Sequence, residues 1–396
     1  MDVSQTPARD ATSARPWWAV VAVMAGIFLL VTAEQLPIGL LSQVAGELGV
    51  TPGMAGLMVT VPGVVAAFAA PLLPIAVGRF DRRALLAGLM GLMTLASLGS
   101  ALAGSFLTLL AARMLVGVCI GGFWAIAGGL APRLVDEASV PRAMTVIFGG
   151  VAAAAVLGVP LGTWLGEFSH WRVALGSLGG LSLLTAVALW CWLPRLPAHR
   201  PMRLGGLARQ LGNRGVRVAV FATALIVIGH FMAYTFISPV LQEISGIPLS
   251  RIGSLLLLYG AAGMVGNLVA GRIAGRHPYR AVLAIPVLLA LVVLGFPWLG
   301  TTASLGVTLL VIWGAVFGAI SVSVQSWILR TATHTEAATA LMAFVFNLSI
   351  GLGALLGGRV VDAVSLSGAL LGAGLAFVAA AWLVARTPAR VVGPPT

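Results

Sequence analysis

The sequence predicts an all-α integral membrane protein with twelve transmembrane helices in two pseudo-symmetric six-helix halves. Three observations predict it: the composition, the recurrence of apolar runs, and an internal repeat. Of 396 residues, 59% are hydrophobic and 9% charged, against about 25% charged in a soluble domain. So few charges cannot cover a soluble protein of this size. All 23 basic residues are Arg, with no Lys. That excludes chemistry needing an amine, including Schiff bases and a P-loop lysine. A formal net charge of +12 would suggest nucleic acid in a soluble chain. Here the arginines lie between apolar runs, so they read as topology signals and no nucleic-acid partner is expected. Cys119 and Cys191 sit inside apolar stretches without a CxxC pattern or a His at ligand spacing. They read as small hydrophobes, and neither a metal site nor a cofactor is expected.

A bilayer core of about 30 Å takes roughly 20 apolar residues per helix. Such runs occur at 17–41, 54–77, 84–104, 107–131, 143–166 and 171–193, then at 217–240, 251–271, 281–300, 304–329, 337–358 and 367–385. These are spans 1 to 12. The tail before span 1 carries Arg9 and Arg15 and reads as a cytoplasmic N-terminus, because a cleaved signal would leave an odd set of spans. Spans 2 and 3 are joined through Arg79, Arg82 and Arg83, and spans 4 and 5 through Arg133 and Arg142. The segment 194–216, with Pro194, Pro197, Pro201 and several Arg, is the natural linker between spans 6 and 7. Arg272, Arg276, Arg280 and Arg330 continue the series. In total 19 arginines fall on the side of the two tails and three, Arg172, Arg251 and Arg359, on the other. By the positive-inside rule both termini are cytoplasmic. The organisation is a tail (1–16), an N-terminal half (17–193), a linker (194–216), a C-terminal half (217–385) and a second tail (386–396). No stretch is long enough for an extramembrane catalytic domain.

The halves resemble each other. A shift of 197 positions brings Gly49, Gly56 and Gly63 onto Gly246, Gly253 and Gly260, and Gly78, Arg79 and Arg83 onto Gly275, Arg276 and Arg280. An offset of half the chain that lands on the same connection indicates a duplication. Parallel six-helix repeats are a transporter architecture, with the substrate site between the halves at mid-membrane.

Four local patterns then carry a resemblance to a known family. The span 2–3 connection reads Gly78-Arg79-Phe80-Asp81-Arg82-Arg83, and span 4 contains Arg113-Met114-Leu115-Val116-Gly117. Span 5 holds Gly158-Val159-Pro160-Leu161-Gly162, continuing to Gly166. Spans 1 and 7 hold Thr32-Ala33-Glu34-Gln35-Leu36-Pro37-Ile38-Gly39 and Gly229-His230-Phe231-Met232-Ala233-Tyr234. Together they resemble the major facilitator superfamily, and within it the bacterial drug:proton antiporter-type branch with sugar, arabinose and purine-nucleoside exporters. The first pattern is similar to the family's D-R-x-G-R-R signature, but Gly78 stands at the leading acid and Asp81 comes three residues later. Gly271 replaces the acid in the second half, ahead of Arg272 and Arg276. If that acid locks neighbouring helices, this chain must use Asp81 or a weaker lock. The resemblance implies gating roles for these loop residues and for Gly158, Pro160 and Gly162. It also implies a bacterial inner-membrane location, a small-molecule substrate and a proton gradient as energy source. Membrane lipid is the other expected partner, and no obligatory protein partner is implied.

Glycine also has a reading free of family. Gly117 and Gly121, then Gly158, Gly162 and Gly166, recur every four residues. Such faces serve either as static packing seams or as surfaces past which helices rock. Pro37, Pro62, Pro160 and Pro239 remove backbone hydrogen bonds inside spans.

Ionised groups at mid-bilayer cost about 2.5–3.5 kcal/mol on insertion scales, so each needs a reason. Glu34 stands alone as an acid well inside a span. It is either a proton-coupling or substrate-contacting carboxylate, or a satisfied structural acid. Arg113 cannot carry the proton itself. It can act on a nearby carboxylate, bind a substrate oxygen, or anchor at the outer interface. His230 and Tyr234 share one face of span 7, and His titrates near neutral pH, though a lone buried His is more often a hydrogen-bonding residue. Gln35, Trp124, Asn267, Gln325 and Asn347 are cavity candidates, with interhelical bonding or core packing as the alternative.

Proton-coupled efflux of a small neutral or amphipathic molecule is the expected function. A uniporter or proton symporter for uptake is the alternative on the same scaffold. A membrane-embedded enzyme would need convergent catalytic groups, and no acid pair, HExxH or nucleophile elbow occurs.

Overall fold

The computed structural model describes residues 14–77, 80–127, 129–197, 211–331 and 335–388. Gly78 and Arg79, most of the linker and much of both tails lie outside them, as does the side chain of Arg276. The described residues form helices and turns, with no strand among them.

Among the described residues, twelve helices are long and apolar enough to cross a membrane. They are span 1 (Trp17–Leu48), span 2 (Pro52–Leu73), span 3 (Arg82–Ala101), span 4 (Phe106–Ala127), span 5 (Glu137–Phe168) and span 6 (Trp171–Trp192). The second set is span 7 (Arg214–Tyr234), span 8 (Leu249–Ile273), span 9 (Tyr279–Leu299), span 10 (Ala303–Ile328), span 11 (Ala338–Ala363) and span 12 (Leu366–Ala385). Polar side chains start several of them by accepting from free first-turn amides. Asp81 caps span 3, Asn213 span 7, Thr302 span 10 and Ser365 span 12. Span 7 therefore begins at Arg214, inside the segment expected as linker.

Two boundaries differ further from expectation. Span 1 runs on to Leu48 instead of stopping near 41. Its helix ends where Gly49 adopts a left-handed φ of 64°. Gly246, its mate in the 197-residue repeat, has a φ of 66°, and the described residues hold no other positive φ. The duplication is thus visible as a backbone conformation that a side chain would oppose. Span 7 breaks after Tyr234 and resumes as the short helix Ile237–Glu243. Pro239, lying four residues beyond Thr235, removes the amide that would have continued the helix there. Pro160 acts similarly in span 5, where Ala154–Gly158 form a π-helical turn just before it.

Packing divides the chain into two cores. One draws on spans 1 to 6, from Ala19 to Leu196, with Phe236 as a visitor. The other draws on spans 7 to 12, from Val216 to Val384, with Ile38, Val59 and Val159 inserted from the first half. The halves meet chiefly along two junctions, span 2 with span 11 and span 5 with span 8, with a smaller contact between span 1 and the Ile237–Glu243 helix. A Cβ on Gly63 would lie 2.9 Å from the amide nitrogen of Gly351, and one on Gly260 would meet the backbone of Ala155. Hydrogen bonds between the halves gather at one end of the molecule, that of Thr51, Glu167, Gln242 and Asp362. Arg82 and Arg83 at the start of span 3, and Arg214 and Arg217 at the start of span 7, lie at the other end.

Candidate functional site

The site grows from two proline-broken helices. Proline donates no amide hydrogen, so the carbonyl four residues earlier loses its helical partner. In span 1 Pro37 frees the carbonyl of Ala33, and in span 2 Pro62 frees that of Met58. Arg113 of span 4, 1% exposed, reaches both. Its Nη2 donates to Ala33 O at 2.7 Å and its Nε to Met58 O at 3.1 Å. One guanidinium, with five donors in a planar fork, thus serves two backbone breaks deep in the N-terminal half.

Glu34, next to Ala33, is 7% exposed, and its Oε1 is buried without a hydrogen-bond partner. Arg113 acts on it through space. Glu34 shares a stripe of span 1 with Ile38 and Ser42, each four residues apart. Ile38 packs into the core of the opposite half, and Ser42 Oγ accepts from Gln242 Nε2 at 3.0 Å. The carboxyl therefore stands one turn below the place where the halves touch. Gln35 beside it is half-buried.

Across the interface the C-terminal half holds an aromatic cluster. His230 Nδ1 accepts from Trp313 Nε1 at 3.1 Å, which leaves the proton of the neutral ring on Nε2. The imidazole stacks on Phe317, with centroids 3.3 Å apart, and on Tyr234 at 4.8 Å. Tyr234 in turn stacks on Tyr259 at 4.6 Å. Tyr259 Oη is buried without a partner, as is Asn267 Oδ1 two turns along span 8. The structure brings His230 and Tyr234 together as the sequence suggested. It adds Trp313 and Phe317, which no motif marked. The other cavity candidates scatter: Asn347 Nδ2 donates to Ala343 O in its own helix, Gln325 is exposed, and Trp124 stacks on Phe148 with centroids 6.0 Å apart.

The loop and glycine motifs work within halves. Asp81 Oδ1 accepts from Arg83 N at 2.8 Å and Leu196 N at 3.4 Å, and Arg82 N donates to Leu196 O at 3.0 Å. This ties the start of span 3 to the chain leaving span 6. Arg83 lies over Trp190, 4.6 Å from the ring centre, and Arg272 is exposed. Gly158, Gly162 and Gly166 face Thr32, Leu36 and Leu40 of span 1, while Gly117 and Gly121 face Pro62 and Ala66 of span 2. Pro160 is buried beside them. Among the described residues no group of three or more His, Cys, Asp or Glu could hold a metal ion.

Two parallel six-helix halves joined at one end are the architecture of a membrane transporter. The chain belongs to the Major Facilitator Superfamily, whose family model matches residues 23–354. It is 33% identical over 376 residues, 94% of each chain, to a Pseudomonas aeruginosa protein named transcription regulatory protein OpdE. It is 32% identical to the purine ribonucleoside efflux pump NepI of Escherichia coli O6:K15:H31, over 96% of this chain and 97% of that one. Among solved structures, a bacterial homologue of the human lysosomal transporter Spinster, inward-facing and occupied, shares the fold. Its TM-score is 0.76 at 14% identity, covering 97% of this chain and all of that one. The human organic anion transporter MFSD10 gives 0.71 at 16% identity, covering 93% and 99%. The protein is a multi-pass membrane transporter rather than an enzyme.

Proposed function

We propose that this transporter exports a small neutral or amphipathic molecule in exchange for protons by alternating access. The observation that carries the reading is Glu34, a buried carboxyl with a free oxygen on the stripe of span 1 that faces the other half. A group placed there can meet water from either side as the halves rock, and so load and release a proton. Arg113, bonded to the carbonyl of the neighbouring Ala33, supplies a fixed positive charge beside it. One proton moving through ~100 mV supplies roughly 2.3 kcal/mol and a pH unit roughly 1.4, enough for a substrate gradient of several hundredfold.

The stacked rings of His230, Tyr234, Tyr259 and Phe317 suit a flat substrate, with Tyr259 Oη and Asn267 Oδ1 as polar contacts. Purine ribonucleosides head the candidates because the E. coli relative carries that name; sugars and hydrophobic drugs follow. The arginine distribution supports cytoplasmic termini in a bacterial inner membrane, with Gly78, Arg79, Asp81, Arg82, Arg83, Arg272 and Arg276 on the cytoplasmic side. The joined end then faces outward.

Proton movement in oriented vesicles under an imposed pH gradient tests the reading. Wild type and Glu34→Gln are compared with purine ribonucleosides, sugars, chloramphenicol and lipophilic dyes. Dissipation of the gradient by one compound with wild type alone is the expected result. Equal transport by both proteins without proton movement would overturn the coupling and leave a uniporter.

A further inference from the structure

The duplication makes the two junctions between halves copies of one design. The 197-residue shift carries span 2 onto span 8 and span 5 onto span 11. The span 2–span 11 junction therefore repeats as span 8–span 5. Gly63 maps onto Gly260, and their contacts, Gly351 and Ala155, lie within one residue of the same shift. Each junction is closed at the same end by a carboxylate from one half on the first turn of a helix from the other. Asp362, at the end of span 11, accepts from Gly53 N at 2.9 Å and Thr51 Oγ1 at 2.7 Å. Glu167, at the end of span 5, accepts from Gly253 N at 3.0 Å. Amides in a first turn have no helical acceptor, and negative charge is favoured there. The carboxylates lie two residues from matching positions, so the pairing has been met twice by slightly different registers of one geometry.

Close backbone approach makes the first contact possible. A Cβ on Gly53 would collide with the carbonyl of Gly358 and with the Asp362 carboxylate itself. By contrast Glu47, an acid at the same end, binds Trp171 Nε1 at 2.6 Å, His170 Nε2 at 2.8 Å and Arg172. All of these belong to its own half.

We propose that Asp362 and Glu167 are the paired latches of this transporter, holding the end at Thr51 and Gly253 shut until both let go. Two halves related by a pseudo-twofold axis cannot rock apart at one end while either latch holds. The proposal rests on membership of the transporter family and is independent of substrate, proton coupling and membrane orientation.

Spin labels at Leu102→Cys and Thr301→Cys, exposed positions of opposite halves at this end, report its opening in the full chain in lipid nanodiscs, with Cys119→Ala and Cys191→Ser as background. Asp362→Ala and Glu167→Ala should each raise the long-distance population severalfold, and the double variant by roughly tenfold or more, the scale of lost hydrogen bonds to charged groups. Asp362→Asn with Glu167→Gln preserves shape and keeps neutral acceptors, and should give an intermediate rise. Glu47→Gln should leave the distribution as in wild type. An unchanged distribution in the isosteric and alanine doubles, or an equal rise with Glu47→Gln, would overturn the proposal. A failed substrate screen would not touch it.

Discussion

At the scale of single residues, Arg113 shows how a charge earns a place in the bilayer core without being solvated. Its two bonds go to the carbonyls freed by Pro37 and Pro62, so the guanidinium and the prolines form one structural unit. Lysine offers its donors from a single nitrogen and cannot span both acceptors as a fork does. Arg113→Lys should therefore cost about 1–3 kcal/mol for a buried carbonyl left unpaired. Pro37→Ala returns an amide to Ala33 O, so the double variant should recover part of that loss. Thermal melts of the four proteins in detergent close the cycle, and strict additivity would separate the arginine from the proline. Tyr259 poses a cleaner question. Its Oη has no partner to lose, so Tyr259→Phe should leave stability within about 0.5 kcal/mol of wild type. If the hydroxyl waits for substrate, affinity for the exported compound should fall about tenfold, the worth of one hydrogen bond of good geometry. Unchanged affinity in a binding titration would remove it from the site.

Helices carry their own lesson, because glycine contacts of similar length have different consequences. A Cβ on Gly162 would lie 2.8 Å from Cδ1 of Leu36, the flexible tip of a side chain. A Cβ on Gly117 would lie 2.6 Å from the carbonyl oxygen of Pro62 and 2.9 Å from its Cα. Leu36 can rotate aside, but the backbone of span 2 must move as a whole. Gly117→Ala should thus destabilise by about 1–3 kcal/mol, against under about 1 kcal/mol for Gly162→Ala. Melting temperatures of the purified variants decide the order, and a reversed order would contradict the packing of spans 2 and 4. The same contrast marks what was legible in the sequence. Twelve apolar runs and a 197-residue repeat are written locally, so the number of spans, their pairing and the Gly49–Gly246 equivalence could be read directly. Pro37 and Pro62 announced broken bonds, and Arg113 an unexplained charge, yet nothing in one dimension joined the three. Nothing in the sequence sets Asp362 or Glu167 apart from ordinary solvated acids at the ends of apolar runs. Their partners lie 309 and 86 residues away in sequence, where only packing can place them. Trp313 and Phe317 were hidden for the opposite reason: aromatic residues in apolar helices give no signal of their own.

For the whole molecule, the pseudo-twofold relation makes a prediction that neither half makes alone. Gly63 and Gly260 occupy equivalent places, one in each junction, and each would drive a new side chain into backbone of the opposite half. The amide nitrogen of Gly351 would lie 2.9 Å from the added Cβ in the first case, and the carbonyl carbon of Ala155 at the same distance in the second. Neither neighbour can rotate away, so Gly63→Val and Gly260→Val should each act as a wedge that penalises the joined arrangement. A penalty of about 1–3 kcal/mol shifts a two-state population roughly 5-fold to 150-fold. Both variants should fold, accumulate the arrangement open at the Asp362 end, and lose transport by at least about tenfold, since turnover requires both arrangements in sequence. Label distances between Leu102→Cys and Thr301→Cys, measured beside transport rates, would show the same displacement for both wedges. Gly158→Ala, which presses on Thr32 and Phe28 within one half, should lower stability without moving those distances. If one junction tolerated its wedge with full turnover, the two junctions could not be engaged alike, and the rocking of rigid halves would have to give way to motion confined to a single pair of helices.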